Sequence, residues 1–383
     1  MNLEMDLLVE RDYNELRNLY DKFMKYLSVK KDQDYTPVTL EFTKYIIAKS
    51  ISEMGFILGI YSDKKLIGTI GANLIPVMFQ NTKLMSCTIT LFGIDPDYLP
   101  LSKDSQLKIY QAIIEKIKET QTDFIWVVFD SALSIGEQRV FRDDLQFVKV
   151  NSNVEPLTKL LGSYGIEILR KKRGLSIVLA QLAKLMAKMQ KISLPGGKIR
   201  DPIPDDYPRI VELLNAYSEI LDLTQIWTIE SFKKYIEINL QVNNIDHSEL
   251  KKEYPETTFG FFIRVWEREN KIIAALSYRV MEVQFKKGKA PLSYWDYLAF
   301  SQDLTMEDKK AFIVNMYNEV YRKASTLTAF YPYYETKALK KSGFMSSQMK
   351  NPMYIYPLTE NGKKLLELKK ISKFYLPFIG FLL

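Results

Sequence analysis

The chain states one pattern twice, and this limits it to folds that can be built as two copies. Asp12-Tyr13 opens an amphipathic helix with Leu16, Leu19, Tyr20 and Phe23 on one face; Asp206-Tyr207 opens another with Ile210, Leu213, Leu214 and Tyr217. Thr39-Leu-Glu-Phe-Thr-Lys-Tyr-Ile46 is answered by Thr228-Ile-Glu-Ser-Phe-Lys-Lys-Tyr-Ile236. A strand, a charged turn and a second strand run from Phe56 through Lys65 to Val77. Phe262 through Lys271 to Val283 has the same layout at the same spacing. A third strand ends at Asp95 in one copy and at Asp303 in the other, each followed by a long helix. Solenoid repeats run from about 20 to 50 residues, far shorter than this one. The pattern therefore implies two copies of one domain in one polypeptide.

The composition is consistent with two globular domains. The 383 residues are 47% hydrophobic and 26% charged, enough apolar material for two cores. The net charge of +7 leaves two readings open, ordinary solvated lysines or a partner that carries phosphates. The charges are spread along the chain, and no nucleic acid is expected. One cysteine, Cys87, rules out a disulfide framework and a cysteine-based zinc cluster. The one histidine, His247, lies in a polar stretch that reads as a solvated loop. Metal chemistry and Ser-His-Asp catalysis have almost nothing to work with. The charged first fifteen residues lack the apolar segment of a secretory signal. The apolar run at 374–383 is too short for a membrane helix of about 20 residues. The expectation is a cytoplasmic protein without a transmembrane segment.

Periodicity predicts helices over 1–27 and 39–51, then strands near 55–61, 65–77 and 84–95. An amphipathic helix follows over 106–120, with Leu107, Ile109, Tyr110, Ile113, Ile114 and Ile117 on its buried stripe. Phe124-Ile-Trp-Val-Val-Phe129 reads as a strand buried on both faces. Residues 175–180 read as a strand and 182–192 as a helix. Its Leu182, Leu185, Met186 and Met189 stripe fits a linker packed on the core. Ser193-Leu-Pro-Gly-Gly197 is the best boundary, giving domains of 1–192 and 198–383. The second half predicts strands near 260–267, 271–285 and 291–301, a helix over 305–324 and strands at 326–331 and 353–356. The fold class is α/β, a mixed sheet with helices on its faces, built twice.

That order, with the helix-opening Asp-Tyr and the turn Lys340-Lys-Ser-Gly-Phe344, resembles the GNAT acyltransferase superfamily. The chain is most similar to protein N-myristoyltransferase, itself two fused GNAT-like halves. Leu19-Tyr-Asp-Lys-Phe23 and Tyr35-Thr-Pro-Val-Thr-Leu-Glu-Phe42 are similar to that family's first half. Arg200-Asp-Pro-Ile-Pro-Asp-Asp-Tyr207 and Leu221-Asp-Leu-Thr224 look like the start of its second, and Ala338 to Phe344 with Tyr354-Ile-Tyr356 like its close. The resemblance covers most of the chain through short, loose motifs.

The resemblance implies roles for particular residues. In the family, two backbone amides at the end of the third strand form the oxyanion hole for the thioester. The matching stretch is Thr90-Leu91-Phe92-Gly93-Ile94-Asp95, which makes Leu91 and Phe92 catalytic candidates and Leu91, Phe92, Gly93 and Ile94 acyl-CoA contacts. Backbone donors survive side-chain substitution. The family's compact basic phosphate loop is replaced by Pro96-Asp-Tyr-Leu-Pro-Leu-Ser-Lys-Asp-Ser-Gln106, longer and partly acidic. Ser102, Lys103 and Ser105 at a helix N-terminus are its phosphate-binding candidates, with a plain surface loop as the alternative. The second half's counterpart, Ser301-Gln-Asp-Leu-Thr-Met-Glu-Asp308, is acidic and suits a cationic acceptor. Tyr294, Trp295, Tyr297, Tyr331 and Tyr333 would line an acceptor groove or fill a sheet core. The family's peptide-reading polar residues are unmatched; Leu298, Phe300, Thr328 and Tyr331 stand nearest their places. The family's base is a C-terminal carboxylate, which points to Leu383, with Asp296 as the alternative; tail docking, membrane touching and subunit contact also explain the apolar tail.

Two classes of function follow. One is an acyl-CoA-dependent N-acyltransferase, acting on an amine such as a peptide N-terminus or, with acetyl-CoA, on a small amine. The other is a catalytically silent tandem GNAT module that binds CoA or protein.

Overall fold

The capping residues of the repeat set the helix starts. The computed structural model describes the chain apart from residues 1, 10–11, 32–34, 52–54, 130–138, 155–156, 175, 179, 182–190, 322–323, 325, 330–333, 347–350, 368–370, 372–373 and 376–383. Helix α1, Tyr13–Lys31, begins where the Asp12 carboxylate accepts the Asn14 and Glu15 amides at 2.8 and 3.2 Å. In α2, Leu40–Ile51, Thr39 Oγ1 accepts the Phe42 amide at 3.1 Å. These contacts satisfy donors that the first turn of a helix leaves unpaired.

The chain forms two compact units. The first comprises Met1–Val154, Asp222–Ile226 and Met349–Leu383; the second comprises Glu155–Leu221 and Trp227–Gln348. In the first, β1 (Leu3–Leu7), β2 (Phe56–Ser62), β3 (Lys65–Phe79), β4 (Thr82–Ile94) and β5 (Phe124–Val128) lie side by side. The first four are antiparallel neighbours, and β4 pairs with β5 in parallel. Beyond β5 the sheet takes a strand from the far end of the chain, Asn351–Pro357, and only then β6, Val148–Val154. Helix α3, Lys103–Lys118, lays Ile109, Tyr110, Ile113, Ile114 and Ile117 into the core of this unit, as its spacing predicts. Each such aliphatic side chain contributes about 1.5–3 kcal/mol when fully buried.

The second unit repeats the order. The short strand β7, Leu157–Leu160, and helix α4, Gly162–Arg173, belong to it. So do β8 (Lys198–Arg200), α5 (Tyr207–Asn215), the helix α6 (Ile229–Leu240), β10 (Gly260–Arg268), β11 (Lys271–Phe285), β12 (Gly288–Phe300), α8 (Met306–Glu319) and β13 (Thr326–Ala329). Between them lie β9 (Leu223–Gln225), which pairs with β3 of the first unit's sheet, and the helix α7 (Ser248–Glu253). The sequence β8-β10-β11-β12-β13 matches β1-β2-β3-β4-β5, again with one parallel pair, β12 with β13. Its outer positions are filled by β7 and then by Met345–Ser346.

Several expectations change. A cut at 193–198 follows the repeat, yet leaves Leu157–Leu160 and Asn351–Pro357 each on the other side of the cut from its sheet partners. The start of the chain is a strand, with helix only from Tyr13, because Leu3–Leu7 extends the β2 edge. Residues 177, 178, 180 and 181 are helical, and the Ala180 amide bonds the Ser176 carbonyl at 2.9 Å. Asp303 is not the partner of Asp95: the Asp95 amide reaches Ile67 O at 2.7 Å, and Ser301 makes the matching bond to Ile273 O at 2.8 Å. None of the described helices is long and apolar enough to cross a membrane.

Candidate functional site

The first unit's candidate site begins as a mismatch in a ladder. Thr90 lies opposite Gly71 and Gly93 opposite Thr69, so Leu91 and Phe92 together face the single residue Ile70. A bulge of this kind takes backbone groups out of the ladder and twists the strand. Among the described residues β4 pairs with β5 at Ser86, Cys87 and Thr88, which leaves residues 89–94 beyond that ladder. Leu91 and Phe92 therefore stand outside both registers. Adjacent amides held this way suit an oxygen on which negative charge develops.

Packing fixes the bulge. The Phe92 ring lies 5.6 Å from Tyr110 of α3. Gly93 leaves room for α1, since a Cβ there would sit 3.3 Å from the Tyr20 ring. The Tyr20 hydroxyl in turn lies 2.8 Å from Thr69 Oγ1. Ile94 is fully buried, and its side chain serves the core. After the strand, the Asp95 carboxylate accepts the Asp97 amide at 3.1 Å and an ammonium hydrogen bond from Lys22 at 3.3 Å.

That turn leads to the start of α3. Ser102 Oγ accepts the Ser105 amide at 3.1 Å and lies 2.9 Å from the Ser105 hydroxyl. Lys103 is paired with Asp144 at 2.8 Å, and that hydrogen bond holds its ammonium pKa above the usual value. With the Lys103 side chain 64% exposed, this pair is a weak latch. The first turn of a helix this long offers amides and a positive dipole end to an anion.

The second unit has a bulge close to the corresponding place, one or two residues earlier in β12, with different chemistry. Ser277 lies opposite Tyr297 and Tyr278 opposite Trp295, so Asp296 is the extra residue. Among the described residues, parallel pairing with β13 covers Ser293, Tyr294 and Trp295. Arg279 donates to the Asp296 carboxylate at 2.7 Å and Tyr235 donates to it at 2.9 Å. The Tyr235 oxygen also lies 2.7 Å from Ser277 Oγ, and Arg279 reaches Asn239 Oδ1 at 3.4 Å. Arg279 packs 5.7 Å over the Tyr294 ring. Tyr294 is half-buried, whereas Trp295 and Tyr297 are enclosed, Trp295 against Phe344 and Tyr297 among Trp227, Phe232 and Tyr235. Leu298 and Phe300 are buried too. At the start of α8 a capping box fills the first turn, with the Asp308 carboxylate accepting the Thr305 amide at 3.1 Å.

Tyr331, Tyr333 and Leu383 lie outside the described residues. His247 is buried rather than solvated: it stacks on Phe259 at 4.2 Å, with Nδ1 3.9 Å from Glu282. Cys87 is buried and unpaired, and burial pushes its thiol pKa up. Among the described residues no group of three or more His, Cys, Asp or Glu side chains could hold a metal ion. Sequence reasoning missed Arg279 and Tyr235. The available signal was an arginine inside the largely apolar run 272–281, since a buried charge demands a partner.

The fold is that of the GNAT acyltransferases, in a chain of two related domains. Saccharomyces cerevisiae N-myristoyltransferase with bound myristoyl-CoA superposes with a TM-score of 0.65 at 14% identity, over 92% of this chain and 82% of the yeast chain. A second yeast structure, with bound myristoyl-CoA and inhibitors, gives 0.64 at 14% identity over 93% and 80%. A probable N-acyltransferase of unknown function from Enterococcus faecalis gives 0.55 at 8% identity over 94% and 74%. No family model and no curated protein matches the chain.

Proposed function

We propose that the protein is an acyl-CoA-dependent N-acyltransferase, with acyl-CoA held by the first unit and an amine, such as a peptide N-terminus, taken by the second. The observation that carries this reading is the bulge at Leu91 and Phe92, placed beyond the residues at which β4 pairs with β5. Myristoyl-CoA is bound by the yeast enzymes of the same fold, which supports an acyl-CoA here. The Leu91 and Phe92 amides polarise the thioester carbonyl. The amine nitrogen attacks the carbonyl carbon, the C–S bond breaks, and the CoA thiolate leaves and takes up a proton. A carboxylate accepts the proton released by the amine; Asp296 takes that role only after exchanging its bond to Arg279. The Ser102 turn and Lys103 receive the CoA phosphates, with Lys103 released from Asp144.

The capped Ser102 turn and the paired Lys103 favour one rival, a silent module that no longer grips CoA. Thermal unfolding with acetyl-CoA and with myristoyl-CoA separates the two. Ligand at about 100 times its dissociation constant stabilises by about 2.7 kcal/mol, a shift of several degrees. Lys103→Glu should shrink that shift. No shift with either thioester would leave the silent module standing.

A further inference from the structure

Helix α1 presses on β4 where the bulge ends. The ladder between β3 and β4 resumes there with Thr69 opposite Gly93, and Tyr20 touches both members of that pair. Its hydroxyl lies 2.8 Å from Thr69 Oγ1. Its ring lies against Gly93, where a Cβ would sit 3.3 Å from ring atom Cδ1 and 3.4 Å from Cε1. Ordinary carbon contacts are about 3.5–4.0 Å, so a side chain at position 93 would push the ring away. Phe23 closes on the same glycine, 3.6 Å from that Cβ position. Tyr20 and Thr69 are fully buried, so their bond forms away from solvent.

The second unit shows what the fold by itself requires at this corner. The bond from Ser301 N to Ile273 O repeats the one from Asp95 N to Ile67 O, which aligns the two corners residue by residue. Ala275 opposite Ala299 then stands in the place of Thr69 opposite Gly93. On the helix Leu214 takes the place of Tyr20, each lying eight residues after its Asp206 or Asp12. Hydroxyl and glycine are both missing from that set, yet Leu214, Ala275 and Ala299 are all buried and the same corner is built. The hydroxyl on the second unit's side comes from Tyr217, in the place of Phe23, and it accepts the Phe300 amide at 3.2 Å. A buried Tyr-Thr bond could serve only to satisfy two hydroxyls, but the apolar set in the second unit shows that the fold does not call for those hydroxyls. They belong to the unit whose bulge presents the Leu91 and Phe92 amides.

Granted the acyl transfer proposed for this chain, we infer that Tyr20 is a positioning residue for the thioester. Through Thr69 and Gly93 it fixes the point at which β4 rejoins the ladder, and with it the direction of the Leu91 and Phe92 amides. Direction matters because a hydrogen bond weakens steeply as its angle falls. A misplacement of about 1 Å in such a site can cost about a hundredfold in rate. Tyr20 acts through the strand and touches no reacting atom.

Infrared spectroscopy of myristoyl-CoA, isotope-labelled at its thioester carbonyl, tests this with the full chain and needs no acceptor. Bound to the parent, the carbonyl stretch should fall below its frequency in solution, as two amides polarise it. Tyr20→Phe keeps the ring and Thr69→Val keeps the shape; each should lose most of that fall. The double variant should lose no more than either single one, because the two share one bond. Thr69→Ser keeps the hydroxyl and should restore the parent frequency. The thermal shift given by myristoyl-CoA should be the same in all of them, since the phosphate and chain contacts are untouched. Single variants whose carbonyl falls as far as the parent's overturn the inference and leave the acyl-transfer reading standing. So does a Thr69→Ser variant no better than Thr69→Val, or a loss of folding in both single variants, since the bond would then serve the fold. A parent that does not bind myristoyl-CoA, or that leaves its carbonyl at the solution frequency, overturns both.

Discussion

Arg279 and Asp296 illustrate how one position in a repeat can change chemistry without changing the fold. Both side chains are nearly buried, at 5% and 13% exposure, and each answers the other's charge. Removing one partner of such a pair strands a charge in a poorly solvated site, at a cost of about 3–5 kcal/mol. Asp296→Ala should therefore lower stability to urea by about 3 kcal/mol. The double change Arg279→Leu with Asp296→Leu should recover much of that loss, since neither charge is then left behind. A single variant as stable as the parent would show that the pair is open to water. The same measurement bears on catalysis, because an Asp296 that cannot be removed without unfolding serves the fold first.

At the scale of elements, Arg200 ties three pieces of the second unit together. It grips Asp206 with two bonds, at 2.6 and 3.0 Å, and reaches Glu267 of β10 through Nε. Asp206 also accepts the Ile203 amide at 2.8 Å, which fixes the turn before α5. The hydrogen bond from Arg200 holds the Asp206 carboxyl below the usual carboxylate range, and the one to Glu267 does the same there. A depressed carboxylate stabilises the fold above its unfolded pKa and loses that contribution as pH falls through the folded value. Stability of the parent should thus decline below about pH 4 more steeply than that of Arg200→Ala, whose carboxylates have lost their partner. Urea unfolding at pH 7 and pH 3 checks this; a gap between parent and variant that does not narrow in acid would contradict it. Asp206 shows why a repeated motif need not repeat its job: Asp12 caps its helix, whereas Asp206 serves the arginine.

On the scale of the whole molecule, each sheet takes a strand from outside its own stretch of chain. Asn351–Pro357 lies between β5 and β6, and Leu157–Leu160 lies between β13 and Met345–Ser346. Withdrawing either strand exposes the edges of its two neighbours, and unpaired edges are poorly tolerated. Fragments cut at 193–198 should consequently fail to fold alone, each giving a flat far-UV thermal profile, and should recover a cooperative transition when co-expressed. A fragment 1–192 with a sharp independent transition would show that the strand from 351–357 is dispensable.

The repeated order, most of its elements and the capping residues were written in the sequence because they depend on neighbours in the chain. Thr39 and Thr228 cap their helices, and the Ile109 to Ile117 stripe is buried, as spacing alone requires. Phe56, Lys65 and Val77 keep their offset from Phe262, Lys271 and Val283 because both hairpins close on one geometry. What lies between distant residues was not legible. No local pattern says that residues 351–357 complete the first sheet, that Arg279 meets Asp296 across the β11–β12 bulge, or that His247 is buried on Phe259. Those facts are contacts across the chain, chosen by packing and by the need of each buried charge for a partner, and only the tertiary structure decides them.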